Sequence, residues 1–112
     1  MARKPRDHEA ELKTWLDDEY PTLAWYRELI FHPKREWRFD IGCVDIMCAL
    51  EIDGMVWQGE GGRHQRGKGY EGDCVKIAEA MIMGWHVLRV TPRMLTKGTA
   101  HDLIRRFIDT KI

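Results

Sequence analysis

Three carboxylates stand on two neighbouring segments that have the residue alternation of β-strands. Asp40 lies in the first segment, and Glu51 and Asp53 lie on the less apolar face of the second. A hairpin would bring the three together, although the sequence leaves its register open. Adjacent carboxylates repel one another when ionised, so such a group either takes up a proton or binds a cation. Mg²⁺ prefers oxygen ligands completed by water and phosphate, and it promotes phosphodiester hydrolysis.

Each of these acids, taken singly, also has an ordinary structural interpretation. An aspartate near a turn is often a turn or capping residue, as Asp40 would be. Acids at the end of an edge strand, such as Glu51 and Asp53, are usually solvated. Only their combination favours a metal site, which we expect to take Mg²⁺, with Mn²⁺ as a substitute.

Two further groups could assist a reaction at such a site. His64 lies between Arg63 and Arg66, and a histidine beside a carboxylate pocket can donate or accept a proton near neutral pH. Asp73 and Lys76 stand three residues apart on a predicted helix and therefore share a face. They form either a surface ion pair or part of the pocket, where Lys76 would stabilise charge on a phosphate oxygen.

Acidic and basic residues are segregated along the chain, although 18 of each give a formal net charge of zero. Residues 41–60 contain no Lys or Arg. Residues 61–68 contain no acid but carry three bases, which we expect to contact phosphates: Arg63, Arg66 and Lys68. The zero net charge is therefore compatible with an acidic metal pocket beside a basic phosphate-binding segment.

Trp57 and the cysteines each have a functional and a structural interpretation. Trp57 either stacks on bases or, as buried tryptophans more often do, belongs to the core or its rim. The three cysteines, with His64, offer the ligand types of a zinc site: Cys43, Cys48 and Cys74. Their spacing matches no common zinc motif, and this disfavours a structural zinc site.

The composition predicts one globular domain over residues 1–112. With 44% hydrophobic and 32% charged residues, a chain of this length can bury a core without disulfides or metals. Three cysteines without a C-x-x-C pair favour a reducing compartment. The N-terminal residues contain no signal-peptide apolar region, and no apolar run approaches the ~18 residues of a membrane span. We therefore expect a cytoplasmic protein with no membrane partner.

Local patterns predict the elements that position the candidate residues. Residues 8–19 have helical spacing behind a candidate N-cap, Asp7. Short strands are predicted over Glu28 to His32, over 37–42 and over 46–53. In the strand over 37–42, strict alternation places three residues on one face: Trp37, Phe39 and Ile41.

The second half of the chain predicts a crossover between parallel strands. The glycine-rich residues 54–69 are predicted to form a loop, followed by a helix over 70–83 and a strand over 85–90 that Pro92 ends. Thr99 is predicted to cap a final helix. The order αβββαβα predicts an α/β fold, with a mixed β-sheet flanked by helices.

Several motifs occur in order between residues 28 and 95: FHPKREWRFD, EIDG, GRHQRG, DCVK and GWHVLR. Together they resemble the motifs of small, often phage-encoded nucleases of the PD-(D/E)xK superfamily. The closer resemblance is to the branch that contains the very-short-patch repair endonuclease and related homing endonucleases. This resemblance implies a restriction-endonuclease-like core and a Mg²⁺-dependent DNA endonuclease.

The resemblance also implies roles for individual residues. Asp40 corresponds to the motif aspartate and Glu51 to the acid of the (D/E)-x-K element, and both would bind the metal together with the Ile52 carbonyl. Asp53 stands where the motif has its lysine. This departure leaves the lysine role to Lys76 on the following helix.

The remaining catalytic candidates come from the same branch. His64 and Asp73 correspond to its later histidine and aspartate. An N-terminal glutamate also belongs to the branch, for which Glu28 is the first candidate and Glu36 the alternative. In the implied mechanism His64 acts as base toward water or acid toward the leaving oxygen, while Asp73 orients His64 or balances Lys76.

Other functions and assemblies stay open from the sequence. One alternative is a catalytically inactive module of the same fold that binds DNA or a protein partner. Another is a nuclease that acts on RNA, because phosphate contacts do not read the sugar. A monomer would suit nicking of one strand, and a homodimer or a larger protein partner would suit double-strand cleavage or added specificity.

Overall fold

The computed structural model describes residues 5–54 and 59–112, with side chains described for 5–54 and 69–112. Helix α1 spans His8–Glu19, followed by three strands, β1 (Tyr26–Ile30), β2 (Arg38–Cys43) and β3 (Cys48–Ile52). Helix α2 (Gly59–Ile82) leads to strand β4 (His86–Val90) and then to α3 (Pro92–Lys97) and α4 (Thr99–Asp109). Within the described part of the chain, no helix is both long enough and apolar enough to cross a membrane.

The four strands form one mixed sheet in the order β1-β2-β3-β4. β1 and β2 pair antiparallel, as do β2 and β3, whereas β3 and β4 pair parallel. Helix α2 makes the crossover between the two parallel strands, because parallel neighbours cannot be joined by a tight hairpin. The predicted α/β class, with a mixed sheet flanked by helices, is therefore confirmed.

Helix α1 begins and ends where its sequence signals indicate. The side chain of Asp7 accepts a hydrogen bond from the backbone N–H of Ala10 at 2.9 Å, which satisfies one of the free donors of the first turn. Leu12 and Leu16, one turn apart, are buried against the sheet. The helix stops at Glu19, shortly before Pro21, which disfavours helical backbone in the residue preceding it.

The sheet separates two apolar clusters. On one face, Ile41 and Leu50 pack with α1, α3 and α4, and α4 contributes a buried stripe four residues apart: Ala100, Ile104 and Ile108. On the other face, Ala49 packs with Ala80 of α2 and with Trp85. Leu50 and Ala49 belong to opposite faces, so the alternation predicted for β3 is confirmed.

The alternation predicted for the strand over 37–42 is wrong at Phe39. Phe39 packs with Ala49 and Trp85 on the α2 face, whereas Ile41 packs in the cluster on the opposite face. The ladder with β1 is locally interrupted here, since Glu28, opposite Asp40, has a positive φ of 52°. The regular alternation of β2 is therefore broken between residues 39 and 41, so that Phe39 and Ile41 point to opposite faces of the sheet.

Helix α2 is longer than the pattern suggests. The predicted loop over 54–69 is wrong for residues 59–69, because α2 starts at Gly59 and runs through to Ile82. Each glycine costs about 1 kcal/mol in a helix relative to alanine but does not forbid one. Extending an existing helix also requires no new nucleation, and good helix formers stand between the glycines.

The C-terminal region contains a short helix that the pattern missed. Pro92 ends β4 and also occupies the first turn of α3, where a missing backbone N–H has no cost. The hydroxyl of Thr91 caps that turn by accepting a hydrogen bond from the N–H of Met94. The predicted Thr99 cap is wrong. Gly98, with a φ of 86°, ends α3 and precedes α4 without a side-chain cap.

Candidate active site

Asp40 and Glu51 stand next to each other at the end of the β2–β3 ladder. The last paired residues are Ile41 and Leu50, so the register places Asp40 opposite Glu51. The N–H of Asp40 donates to Oε2 of Glu51 at 2.9 Å, and the N–H of Ile52 donates to Oδ2 of Asp40 at 2.7 Å. Side-chain carboxylates thus take the place of backbone carbonyls as acceptors where the strands separate. The two acids are held by the sheet itself.

Glu51 is the buried acid of this group, with 6% of its surface exposed. Its second oxygen, Oε1, accepts a hydrogen bond from the ammonium of Lys76 on α2, and the two form an ion pair. Burial raises the pKa of Glu51, and this is opposed by the hydrogen bonds from Lys76 and from the Asp40 N–H. Both oxygens of Glu51 are therefore engaged within the protein.

Lys76 is held in the pocket by more than its ion pair. It lies on α2, and its ammonium is 5.8 Å from the centre of the Phe39 ring, within cation–π range. The reversed facing of Phe39 is what provides this apolar wall. Only 17% of the Lys76 side chain is exposed, so the cation and Glu51 are both largely removed from water.

A second cluster of acids shares Asp40. One carboxylate oxygen from each of Glu9, Glu28 and Asp40 lies within 4.8 Å of the others. Glu28 projects from β1 opposite Asp40, and Glu9 comes from the first turn of α1. Arg27 connects α1 to β1, because its Nε donates to Glu9 Oε1 at 3.0 Å. The pKa of Glu9 is raised, first by burial and then by Glu28, against the opposing effect of Arg27.

The donor set of this cluster fits a divalent cation that prefers oxygen. Two carboxylate oxygens on opposite sides of Mg²⁺ are about 4.2 Å apart, and on opposite sides of Ca²⁺ about 4.8 Å. The three oxygens of Glu9, Glu28 and Asp40 lie within 4.8 Å of one another, which meets the Ca²⁺ separation, and Mg²⁺ would draw them closer together. A cation would also relieve the mutual repulsion of the three acids. Glu9, which the sequence reasoning missed, is one of the three.

The N-terminal glutamate predicted from the resemblance can be compared with these positions. Glu28 lies in the acidic cluster, whereas Glu36, the alternative, is exposed in the turn between β1 and β2. For Glu9 the signal in the sequence is weak, since an acid in the first turn of a helix normally just complements the helix dipole.

Asp73 and Asp53 both lie beside Arg89 of β4. Arg89 forms an ion pair with Asp73 of α2, and its Nη1 is 4.0 Å from Oδ2 of Asp53. Asp73 therefore pairs with Arg89 in the structure, whereas the sequence reasoning had it balance Lys76 or orient His64. The missed partner, Arg89, is adjacent to Glu51 in the parallel β3–β4 register.

Several predicted site residues lie outside the described side chains. These are the candidate acid or base His64 and the candidate nucleic-acid contacts Trp57, Arg63, Arg66 and Lys68. For Ile52, the backbone N–H contacts Asp40, which puts this peptide beside the acids. Among the zinc candidates, Cys43 and Cys48 are buried free cysteines that lie opposite each other in the β2–β3 register. Cys74 is exposed on α2.

The fold is similar to that of one solved structure, the homing endonuclease I-Bth0305I catalytic domain. The TM-score is 0.70 at 20% sequence identity, and the similarity covers 96% of this chain and 99% of that chain. No protein-family model and no curated protein matches the chain. Similarity at this level of identity establishes a shared fold, a mixed four-stranded sheet with flanking helices.

Proposed function

We propose that residues 1–112 form one nuclease domain that hydrolyses phosphodiester bonds in DNA with the help of a divalent cation, Mg²⁺ or Mn²⁺. The observation that carries this proposal is the pair Asp40 and Glu51, locked together by backbone hydrogen bonds with Lys76 against Glu51. The fold of the homing endonuclease catalytic domain supports it. Together with the sequence motifs, it favours the very-short-patch-repair-like branch of the PD-(D/E)xK superfamily.

The cation would be held by carboxylates on both sides of Asp40. Glu9 and Glu28 approach Asp40 from α1 and β1, and Glu51 with the Ile52 peptide approaches it from β3. Carboxylate oxygens of Glu9, Glu28 and Asp40 lie within 4.8 Å of one another. The two oxygens of Glu51 accept hydrogen bonds from Lys76 and from the N–H of Asp40. When bound, the cation would neutralise charge on the scissile phosphate and make water a stronger nucleophile.

The other residues act around that phosphate. The Lys76 ammonium stabilises the negative charge that accumulates on the phosphate oxygens, and Glu51 holds it in place. His64 takes a proton from the attacking water or gives one to the leaving oxygen. Asp53, at the position of the motif lysine, supplies negative charge to the pocket edge beside Arg89.

DNA is held by bases outside the acidic pocket. We propose that Arg63, Arg66 and Lys68 contact phosphates and that Trp57 stacks on bases near the cleaved strand. Because one active site cuts one strand, a monomer would nick duplex DNA. Cleavage of both strands would need a homodimer or two separate encounters.

Cleavage of supercoiled plasmid by the purified chain tests this function. With Mg²⁺ or Mn²⁺ the plasmid should be nicked or linearised, and EDTA, Asp40→Asn and Glu51→Gln should each abolish cleavage. Asp45→Asn is the matched control, since Asp45 is an exposed acid in the β2–β3 turn, and it should cleave like wild type. Cleavage that survives EDTA, or that survives both site variants, would show the metal–carboxylate mechanism to be wrong.

Parallel substrates separate the remaining possibilities. Linear, mismatched and branched DNA duplexes and an RNA duplex should be tested under the same conditions. Faster cleavage of RNA than of DNA would contradict the proposed substrate. Tight, salt-sensitive DNA binding without any cleavage would instead favour a binding module of the same fold.

A further inference from the structure

The turn between β1 and β2, residues 31–37, is built on a stack of aromatic rings. Phe31 stacks on the buried Phe39 with ring centres 3.9 Å apart and an interplanar angle of 8°. Trp37 is also stacked with Phe31, at 6.4 Å and 21°. Phe39 in turn contacts Trp85 at 4.9 Å, so the stack extends from the core to the turn. We call residues 31–37 the basic turn.

The backbone of the basic turn is closed by its own hydrogen bonds. The N–H of Phe31 donates to the carbonyl of Trp37 at 3.3 Å. Nδ1 of His32 accepts from the N–H groups of Lys34 and Arg35, each at 3.1 Å. A turn that is ordered in advance loses little conformational entropy when it binds a ligand.

The bases of this region have no ion pair to an acid among the residues that the structure describes. Lys34, Arg35 and the adjacent Arg38 are exposed, and none of them forms an ion pair within the described part of the chain. By contrast, other arginines, among them Arg27 and Arg89, are paired with carboxylates that connect elements of the fold. Within the described residues, the three bases therefore do not stabilise the fold through ion pairs.

Arg35 is positioned while its hydrogen-bond donors stay available. Its guanidinium carbon lies 4.1 Å from the centre of the Trp37 ring, a cation–π contact. A guanidinium stacked in this way still presents its N–H groups at the edge, in the geometry that suits a phosphate. The ring of Trp37 thus supports an exposed cation on the turn.

The basic turn lies close to the candidate active site. Arg38 is two residues before Asp40 on the same strand, a separation of about 7 Å. Phe39, between them, is the ring that faces Lys76. Each DNA strand advances about 3.4 Å per nucleotide along the helix axis, so the turn reaches phosphates within a few nucleotides of one bound at Asp40.

From this geometry we infer that the basic turn and the adjacent Arg38 form a phosphate-binding element, in which Lys34, Arg35 and Arg38 hold the DNA strand beside the scissile phosphate. The inference rests on the proposed function for its substrate, DNA. The DNA would then be bound at two places: at the β1–β2 edge of the sheet, and by the bases proposed at the start of α2, Arg63, Arg66 and Lys68.

Equilibrium binding without cleavage tests the inference. The affinity for a labelled DNA duplex is measured by fluorescence anisotropy in EDTA at several salt concentrations, for the wild-type chain and for Lys34→Gln/Arg35→Gln. The double variant should bind about tenfold more weakly or worse at 0.1 M salt. The slope of log K against log salt should fall by roughly 0.9 for each lost phosphate contact.

Two controls separate a phosphate contact from a general effect of charge or folding. Arg105→Gln/Arg106→Gln makes the same change in charge on α4, which packs on the opposite face of the sheet from α2, and should bind nearly as wild type. Glu36→Gln removes the acid of the turn and should strengthen binding. Equal weakening by the α4 variant, weakening by Glu36→Gln, or an unchanged slope for the turn variant would overturn the inference.

The outcome can be separated from that of the proposed function. A wild-type chain that binds DNA through the turn but never cleaves it would refute the nuclease and leave the inference standing. A chain that cleaves DNA while the turn variant keeps wild-type affinity would refute the inference alone. Thermal unfolding of each variant confirms that the compared chains are equally folded.

Discussion

The backbone N–H of Asp40 donates to the carboxylate of Glu51, at 2.9 Å, so one candidate metal ligand orients the other. The return contact runs from the N–H of Ile52 to Asp40, at 2.7 Å. Neither side chain can rotate without giving up a part-buried hydrogen bond, and an unsatisfied donor costs up to about 1–3 kcal/mol when it is fully buried. A site built in this way is ordered before any ligand arrives.

Loss of the Lys76 ammonium, the ion-pair partner of Glu51, should destabilise the fold. Lys76→Met leaves a buried carboxylate without its partner, and removing one member of such a pair costs about 3 kcal/mol. Glu51→Gln combined with Lys76→Met should recover much of that loss, because no buried charge remains. Urea denaturation of the single and double variants measures both free energies of unfolding. If the two effects simply add, Glu51 and Lys76 are not energetically coupled.

Removal of Glu9 should weaken cation binding. If Glu9, Glu28 and Asp40 hold one ion, Glu9→Gln should raise the Mn²⁺ concentration needed for half-saturation by about tenfold. The rise in melting temperature with added Mn²⁺ reports this affinity, since an ion that binds only the native state stabilises it. Glu11→Gln is the control, because Glu11 lies two residues further along α1 and pairs with Arg6. An identical Mn²⁺ response in wild type and Glu9→Gln would remove Glu9 from the site.

His64→Ala should slow cleavage without weakening DNA binding to the same extent. A general acid or base contributes about 100-fold or more to the rate but little to the affinity for the substrate. Single-turnover cleavage and anisotropy on the same duplex provide the two measurements. His86→Ala, on β4, serves as control. An equal loss of rate and affinity would make His64 a binding residue.

The buried thiol of Cys48 should make the protein less stable at alkaline pH. Burial raises the pKa of Cys48 from its ordinary value of 9.0 to about 11. Between those values the unfolded chain loses the thiol proton and the folded chain keeps it. The free energy of unfolding should therefore fall as the pH rises from about 9 to 11, by up to about 2–3 kcal/mol.

Cys48→Ala provides the comparison for that alkaline effect. The variant should lose stability less steeply than wild type over the same pH range, and parallel curves would show that Cys48 does not contribute. Thiol labelling at neutral pH gives an independent measurement. The exposed Cys74 should react in the native protein, whereas Cys43 and Cys48 should react only on unfolding.

Much of the fold could be predicted because its signals are local. Asp7 and the spacing of Leu12 and Leu16 define α1, and the alternation of β3 assigns Leu50 and Ala49 to opposite faces. The length between β3 and β4 indicates a parallel crossover. Errors occurred where the local pattern is ambiguous, as in the glycine-rich start of α2, and where the backbone departs from regular strand geometry, as beside Phe39.

The acidic site, too, could be predicted in part from the sequence, while the rest depended on the tertiary structure. Residue types and alternation alone determined that Asp40 and Glu51 are candidate partners and that oxygen-liganded cation chemistry is available. Only the tertiary structure brought Glu9 to Asp40, paired Asp73 with Arg89, and turned Phe39 toward Lys76. The reason is physical: alternation follows from the burial of one face along a single element. Contacts between distant residues depend on strand register, helix docking and one unusual backbone conformation at Glu28, and no single segment contains that information.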